Sequence, residues 1–487
     1  MTFSDAAGMT VGEGLAGTLS GSLKRRAGHW EIRSNFSLQG GELLTPYGYL
    51  DAAAHPVQVE ANLNADADFS KLLLLASRVA AKDLLSIALR GEIHPAAAQP
   101  LQMLTLEMPP IKVAELYREL LLPVLFGTSW DHLELAGKLG LSLDMAGGEV
   151  MGLELSLADL FVDDAKGSKT RRLGLYGMNG RIQWQRGEKP ADSRLSWASG
   201  HLLEKIDLGA GRVDFQLSDK RFRLIRQAVL PVLDGSLMID RLDIDQLGEA
   251  DQKLQFDGII TPISMGTLSE ALGWMPLSGK LSGVIPGLSY ENGQLQVEGV
   301  LLVRMFDGDI LISGLKTRGL FGIYPQLSAE IEMHNLDLET LTRTFSFGRI
   351  TGRLDGYVRG LALEAWQPVA FDARFYTPEG DKTRHRISQK AVDNISNLGG
   401  AGLSGSLARS FLGFFEEFGY KRIGIGCRLS RGNCEMVGVG ETKQGYYLVE
   451  GGGIPRIDII GYNKSADWDR LLQQLKQITA SGAPVIQ

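Results

Sequence analysis

From Val57 to Asp68 the chain reads V-Q-V-E-A-N-L-N-A-D-A-D, a strict alternation of apolar and polar residues. Successive side chains of a β-strand point to opposite faces. Val57, Val59, Ala61, Leu63, Ala65 and Ala67 therefore share one face, and Gln58, Glu60, Asn62, Asn64, Asp66 and Asp68 share the other. The same period returns at Leu139–Met145, at Leu153, Leu155 and Leu157, at Leu237 and Ile239, and at Leu254 and Phe256. It returns again at Leu295 and Val297, at Ile331 and Met333, and at Phe371, Ala373 and Phe375. A chain patterned in this way builds a β surface that is greasy on one side and wet on the other.

Glycine is abundant, at 60 of 487 residues, and falls mostly between the alternating runs, where tight turns need positive φ angles. Glu291-Asn292-Gly293, Phe306-Asp307-Gly308 and Arg431-Gly432-Asn433 separate neighbouring runs as hairpin turns, which predicts an antiparallel meander. The length exceeds that of one compact core, so the chain is several domains or an elongated repeat. A repeat is visible: the segment from Thr267 matches the segment from Thr340, aligning Gly279 with Gly352, Gly283 with Gly356 and Gly287 with Gly360. Each copy reads as a short helix led by Leu268 or Leu341, followed by a strand. A looser copy runs from Ala114 to Leu141.

Longer helices are expected over Phe69–Leu85 and Ser465–Thr479, the second with Trp468, Leu471, Leu472 and Leu475 on one side. Two amphipathic pieces are expected between Ile387 and Phe418; the second carries Leu407, Phe411, Leu412, Phe414, Phe415 and Phe418, aromatics that cap a core or dip into a membrane. These helices are too few to cover the apolar face of so many strands. A curled sheet leaves an apolar trough, whereas a sandwich fills the same space with side chains, and the pattern fits both.

The formal charge of −7 gives no electrostatic footprint for nucleic acid. The basic groups Lys24–Arg26, Lys169–Arg172 and Arg384-His385-Arg386 are dispersed, and read as solvated loops and strand edges or as contacts for anionic head groups. No run approaches the roughly 18 apolar residues of a membrane span. The first twenty residues read as strand and turn, not as a basic region followed by an apolar signal core. The two cysteines, Cys427 and Cys434, flank a turn, and an antiparallel hairpin would set them directly across from each other, as buried thiols in a reducing compartment or a disulfide in an oxidising one.

No catalytic constellation emerges, and the expectation is a protein that is not an enzyme and uses no cofactor or metal. Gly12-Glu-Gly14-Leu-Ala-Gly17 spells a dinucleotide fingerprint but continues as strand. Gly402-Leu-Ser404 lacks the last glycine of a nucleophile elbow, and Gly273–Lys280 misses the spacing and hydroxyl of a phosphate loop. The seven histidines are scattered, each expected at a surface or a turn.

The tail Gly451-Gly-Gly-Ile-Pro-Arg-Ile-Asp-Ile-Ile-Gly-Tyr-Asn, with Asp467-Trp468, Leu471-Leu472 and Ile387–Ser396, resembles the C-terminal region of YdbH-like proteins of the AsmA-like superfamily. The resemblance is best from about Ile263 onward. It implies a mainly β, elongated, curled antiparallel sheet, a taco-like groove of repeated short-helix-plus-strands units with amphipathic helices near its C-terminal end. Residues 1–262 would form the N-terminal part of that groove and 263–487 the YdbH-like region, with repeats at 263–290 and 336–363, a helical segment at 387–418 and a terminal hairpin and helix at 419–480. The implied function is non-enzymatic transport of phospholipid between the inner and outer membranes across the periplasm, with attachment to the inner membrane by an N-terminal segment absent from this chain. A small outer-membrane lipoprotein is the expected partner at the C-terminal sheet edge, and a structural or assembly factor for the outer membrane is the alternative. Val57, Val59, Ala61, Leu63, Leu153, Leu155, Leu237, Ile239, Leu254, Phe256, Leu295, Val297, Ile331, Met333, Phe371 and Phe375 would line the groove.

Overall fold

The structure, a computed structural model, describes all residues except 7, 27, 129–130, 165–172, 188–189, 203–204, 250, 273–278, 320–323, 399–414 and 481–487, and the side chains of 476–480. The expectations for Lys169–Arg172, Gly402–Ser404, Leu407, Phe411, Leu412 and Phe414, and most of Gly273–Lys280, fall outside the described residues. The fold is mainly β and antiparallel, with a few helices, some of them near the C-terminal end. The chain divides into two compact units, Met1–Val232 and Leu233–Gln487.

In the first unit, long strands pair in chain order. Val11–Arg26 pairs with His29–Thr45, which pairs with Val57–Asp66, and the ladder continues through Leu72–Ala81, Leu85–Ile93 and Leu101–Lys112. It runs on through Glu134–Ala146, Glu149–Asp163 and Leu173–Gln185. The nucleotide-like glycines Gly12, Gly14 and Gly17 lie within a strand, so they open no helix. The helix expected over Phe69–Leu85 does not form: Leu72–Ala81 is a strand, Asp83 turns with φ of 64°, and Leu85–Ile93 is the next strand. Its leucine-rich sequence suits either structure locally. Flanking strands with open backbone groups on both sides decide for the ladder, because each N–H and C=O then finds a partner.

The second unit is a meander of the same kind, from Gly235–Asp245 through Asn433–Gly438. The expected turns are present: Asn292 and Gly293 have φ of 52° and 75°, and Arg431 and Gly432 have 52° and 75°. The register of the strand Gly235–Asp245 slips between Ile239 and Arg241. The repeat is carried by the backbone. The strand Lys253–Ser264, helix Met265–Leu272 and strand Lys280–Glu291 recur as Gln326–Asp337, Leu338–Thr344 and Arg353–Glu364. In each copy a left-handed glycine bulges the second strand, Gly287 with φ of 53° and Gly360 with 59°. Its amide donates to a carboxylate of the first strand, Asp257 at 2.6 Å and Glu330 at 2.9 Å. The third copy keeps the order, with helical turns over Val113–Leu125 and the strand Glu134–Ala146.

A dry core forms where helices meet this sheet. Leu338–Thr344 starts at Asp337, whose carboxylate accepts the Thr340 amide at 2.7 Å. Gln389–Leu398 buries Ala391, Val392, Ile395 and Ser396, one helical face. The last helix, Trp468–Ala480, begins three residues later than expected because Ser465–Asp467 pairs as a strand with Asn433–Glu435. Phe418 also departs from expectation. It belongs to the strand Glu417–Ser430, opposite Ile387, and is 1% exposed.

Candidate functional site

Inter-strand register converts the alternation into a surface, because residues paired across an antiparallel ladder share a face. In the first unit Leu19 lies opposite Phe36, Phe36 opposite Val59, Val59 opposite Val79 and Val79 opposite Ile87. A second line runs Ile32, Leu63, Leu74, Gly91, Leu104, Met145. A third runs Leu89, Leu106, Leu143, Leu153, Trp184, with Leu155 beside it between Leu141 and Ile182. Val57 and Ala61 stand on the same strand face as Val59 and Leu63, so all six expected lining residues of this unit share one face.

In the second unit one line crosses nine strands: Leu237, Ile260, Gly283, Val303, Ile310, Met333, Gly356, Phe375, Ile425. Ile331 follows beside it between Ile312 and Val358, and Phe371 lies opposite Leu429. Leu254 reaches Leu295 through Tyr290, and Phe256 reaches Val297 through Leu288. Ile239, opposite Gly258, completes the set, and the ten expected residues of this unit also share one face.

Burial decides what the face of each unit is. Fourteen of the sixteen residues are half-buried, and only Ile239 (7% exposed) and Val297 (4%) are closed off. Further along the face, Leu19 is 75% exposed and Leu23 57%. Side chains packed on each other in-plane but open above give this intermediate value, whereas a filled sandwich would bring them near zero. The opposite face is polar and paired across strands: Gln183 donates to Glu154 at 2.6 Å, Thr105 to Asp144 at 2.8 Å and Arg428 to Asp372 at 3.3 Å.

The face closes at the C-terminal helices. Met333, Phe375 and Cys427 pack against the core cluster that contains Leu354, Ile387, Val392 and Phe418. Beside that cluster lies an apolar cavity of about 440 Å³, lined by Leu341, Phe347, Phe375, Ile395, Leu398 and Leu475 among others. Its volume is within the range of small-ligand sites.

Cys427 and Cys434 are placed to form a disulfide, with Cα atoms 5.5 Å apart. They are not directly across from each other as the hairpin reading had it. A two-residue turn pairs Ser430 with Asn433, which sets Cys434 opposite Leu429 and Cys427 opposite Met436, so the cysteines are diagonal neighbours on one face.

Among the described residues no group of three His, Cys, Asp or Glu side chains could hold a metal ion. The structure also holds a polar cluster that sequence reasoning missed. His201 is buried in a strand, against the surface position expected for every histidine, and its Nδ1 is 2.9 Å from the Tyr176 hydroxyl, which donates to Asp163 at 2.6 Å. The three residues come from Glu149–Asp163, Leu173–Gln185 and Ser199–Leu202, strands whose pairing no local signal reveals.

A comparison with protein-family models, with curated proteins and with solved structures found no match to this chain in any of the three.

Proposed function

We propose that the chain is a non-enzymatic carrier of phospholipids between the inner and outer membranes, a YdbH-like member of the AsmA-like superfamily working in the periplasm. The observation that carries this reading is the half-buried apolar face that each unit carries: fourteen of sixteen lining residues are neither solvated nor closed off. Burying a methylene is worth about 0.8 kcal/mol, so two acyl chains of about 16 carbons cost on the order of 20–25 kcal/mol to hold in water. A face of near-uniform apolar contacts removes most of that cost at every position. The head group stays in water at the open side. A cysteine pair placed to form a disulfide suits an oxidising compartment such as the periplasm.

Native mass spectrometry of the purified chain tests the reading. Phospholipid recovered at stoichiometric levels is expected, and a lipid-free protein would overturn it.

One observation favours the assembly-factor reading. Val11–Arg26 is a sixteen-residue strand whose outer edge meets, among the described strands, only Phe3–Ser4. An open edge of that length invites strand addition by another protein. At the C-terminal end the chain's own Ser465–Asp467 already pairs with Asn433–Glu435, so a lipoprotein strand would add beside Ile459–Gly461. Substituting edge residues with proline would abolish partner capture under this reading and leave lipid content unchanged under the first.

A further inference from the structure

Alternation gives the small ribbon formed by Ile350–Thr351, Arg386–Ser388 and the start of Glu417–Ser430 two unlike faces. Ile350, Ile387 and Phe418 enter the dry core. On the other face a concave site of about 350 Å³ opens, lined by Arg349, Arg353, Arg384, Arg386, Thr351 and Thr383 among others. Two of its four guanidinium groups are neutralised. Arg349 pairs with Glu339 at 3.1 Å and Glu417 at 2.9 Å, and Arg353 pairs with Asp307 at 3.0 Å. Asp337, also in the lining, is engaged by the Thr340 amide.

Arg384 and Arg386 differ. Among the described residues neither guanidinium has a carboxylate within ion-pair distance, and the exposed Lys382 on the same segment has none either. The segment that carries them is pinned. Asp381 accepts the Thr383 amide at 2.8 Å and the Arg353 amide at 2.9 Å, while the Thr351 hydroxyl accepts the Arg386 amide at 3.0 Å and donates to the Arg384 carbonyl at 2.6 Å. Surface arginines without partners usually cost little because they wander in water. Here two are held over one concavity by a fixed backbone beside a threonine side chain.

We propose that this site binds a phosphate-bearing anion, with Arg384 and Arg386 supplying the guanidinium forks. Planar guanidinium groups match the paired oxygens of a phosphate, and charge-assisted hydrogen bonds are about twice as strong as neutral ones. The chemistry is shared by a phospholipid head group and a free phosphate. The site lies on the opposite face of the ribbon from the apolar core, so its occupancy does not rest on the lipid-carrier reading.

Calorimetric titration of the full chain with inorganic phosphate and, separately, with dihexanoyl-phosphatidylglycerol tests the proposal, using Arg384→Gln/Arg386→Gln and, as a remote control, the exposed Arg90→Gln. The double variant is expected to lose about tenfold or more in affinity, with the control unchanged. Binding of both probes in competition identifies the phosphate as the group read. Binding of the lipid alone, lost in the double variant, assigns the site to head groups, and binding of phosphate alone, lost likewise, assigns it to free phosphate. Should the double variant unfold, the exposed Arg384→Gln alone carries the test. Absence of binding by both probes, or equal binding by wild type and variant, overturns it.

Discussion

The phenolic hydroxyl of Tyr420 donates a 2.6 Å hydrogen bond to the backbone carbonyl of Thr351, reaching past the intervening strand Arg386–Ser388. One side chain thereby ties three strands together at the edge of the dry core. Tyr420→Phe keeps the ring but leaves a carbonyl without its partner, so a loss of about 1–3 kcal/mol is expected. Urea unfolding followed by far-UV circular dichroism measures it, and an unchanged midpoint would show that the bond is idle.

Alkaline pH should weaken the second unit through two tyrosines. Burial pushes the Tyr420 phenol above the ordinary tyrosine range, helped by the charge of Asp381, and burial pushes Tyr446 up to about 12. Both are raised above their unfolded value, so their contribution is complete below about pH 10 and is lost as pH rises toward about 12. Thermal unfolding across that window should show a falling midpoint, and the fall should shrink in Tyr446→Phe.

Acid should act through Asp381. Burial alone would raise its carboxyl, but the Thr383 amide, the His385 ring at 2.9 Å and the Arg353 amide outweigh burial and hold it down to about 2. A depressed carboxyl stabilises the fold above its unfolded value of 3.8 and loses that contribution as pH falls from about 4 toward 2. Asp381→Asn should be less stable at neutral pH and show a flatter acid limb. A variant whose acid profile superimposes on wild type would refute the assignment.

Truncations at two kinds of apolar position should separate face from core. Ile387, 1% exposed in the dry cluster, should cost about 2–5 kcal/mol as Ile387→Ala. Leu63, half-buried on the open face, loses fewer contacts and should cost about 1 kcal/mol as Leu63→Ala. Equal penalties in chemical denaturation would mean that the open face is packed after all.

A charge on that face should block lipid without unfolding the chain. Ile331 is half-buried between Ile312 and Val358. Ile331→Glu is expected to retain its β-sheet circular dichroism and to lose most co-purified phospholipid. Full lipid retention would argue that acyl chains bind elsewhere.

The sequence by itself determined the strand period, the hairpin turns and, within each unit, the sharing of one face by the lining positions, because backbone pleating and turn dihedrals are local and leave their mark on neighbouring residues. Residues 253–291 and 326–364 carry their repeat for the same reason. Tertiary structure alone decided the rest. Leu72–Ala81 became a strand because its neighbours offered open edges, and Cys427 took a diagonal place because the turn fixed the register. His201 met Tyr176 and Asp163 only through the pairing of distant strands, and whether an apolar face is open or filled depends on what approaches it from above the sheet. No local pattern encodes that distance, since a leucine facing a groove and a leucine facing a second sheet obey the same alternation.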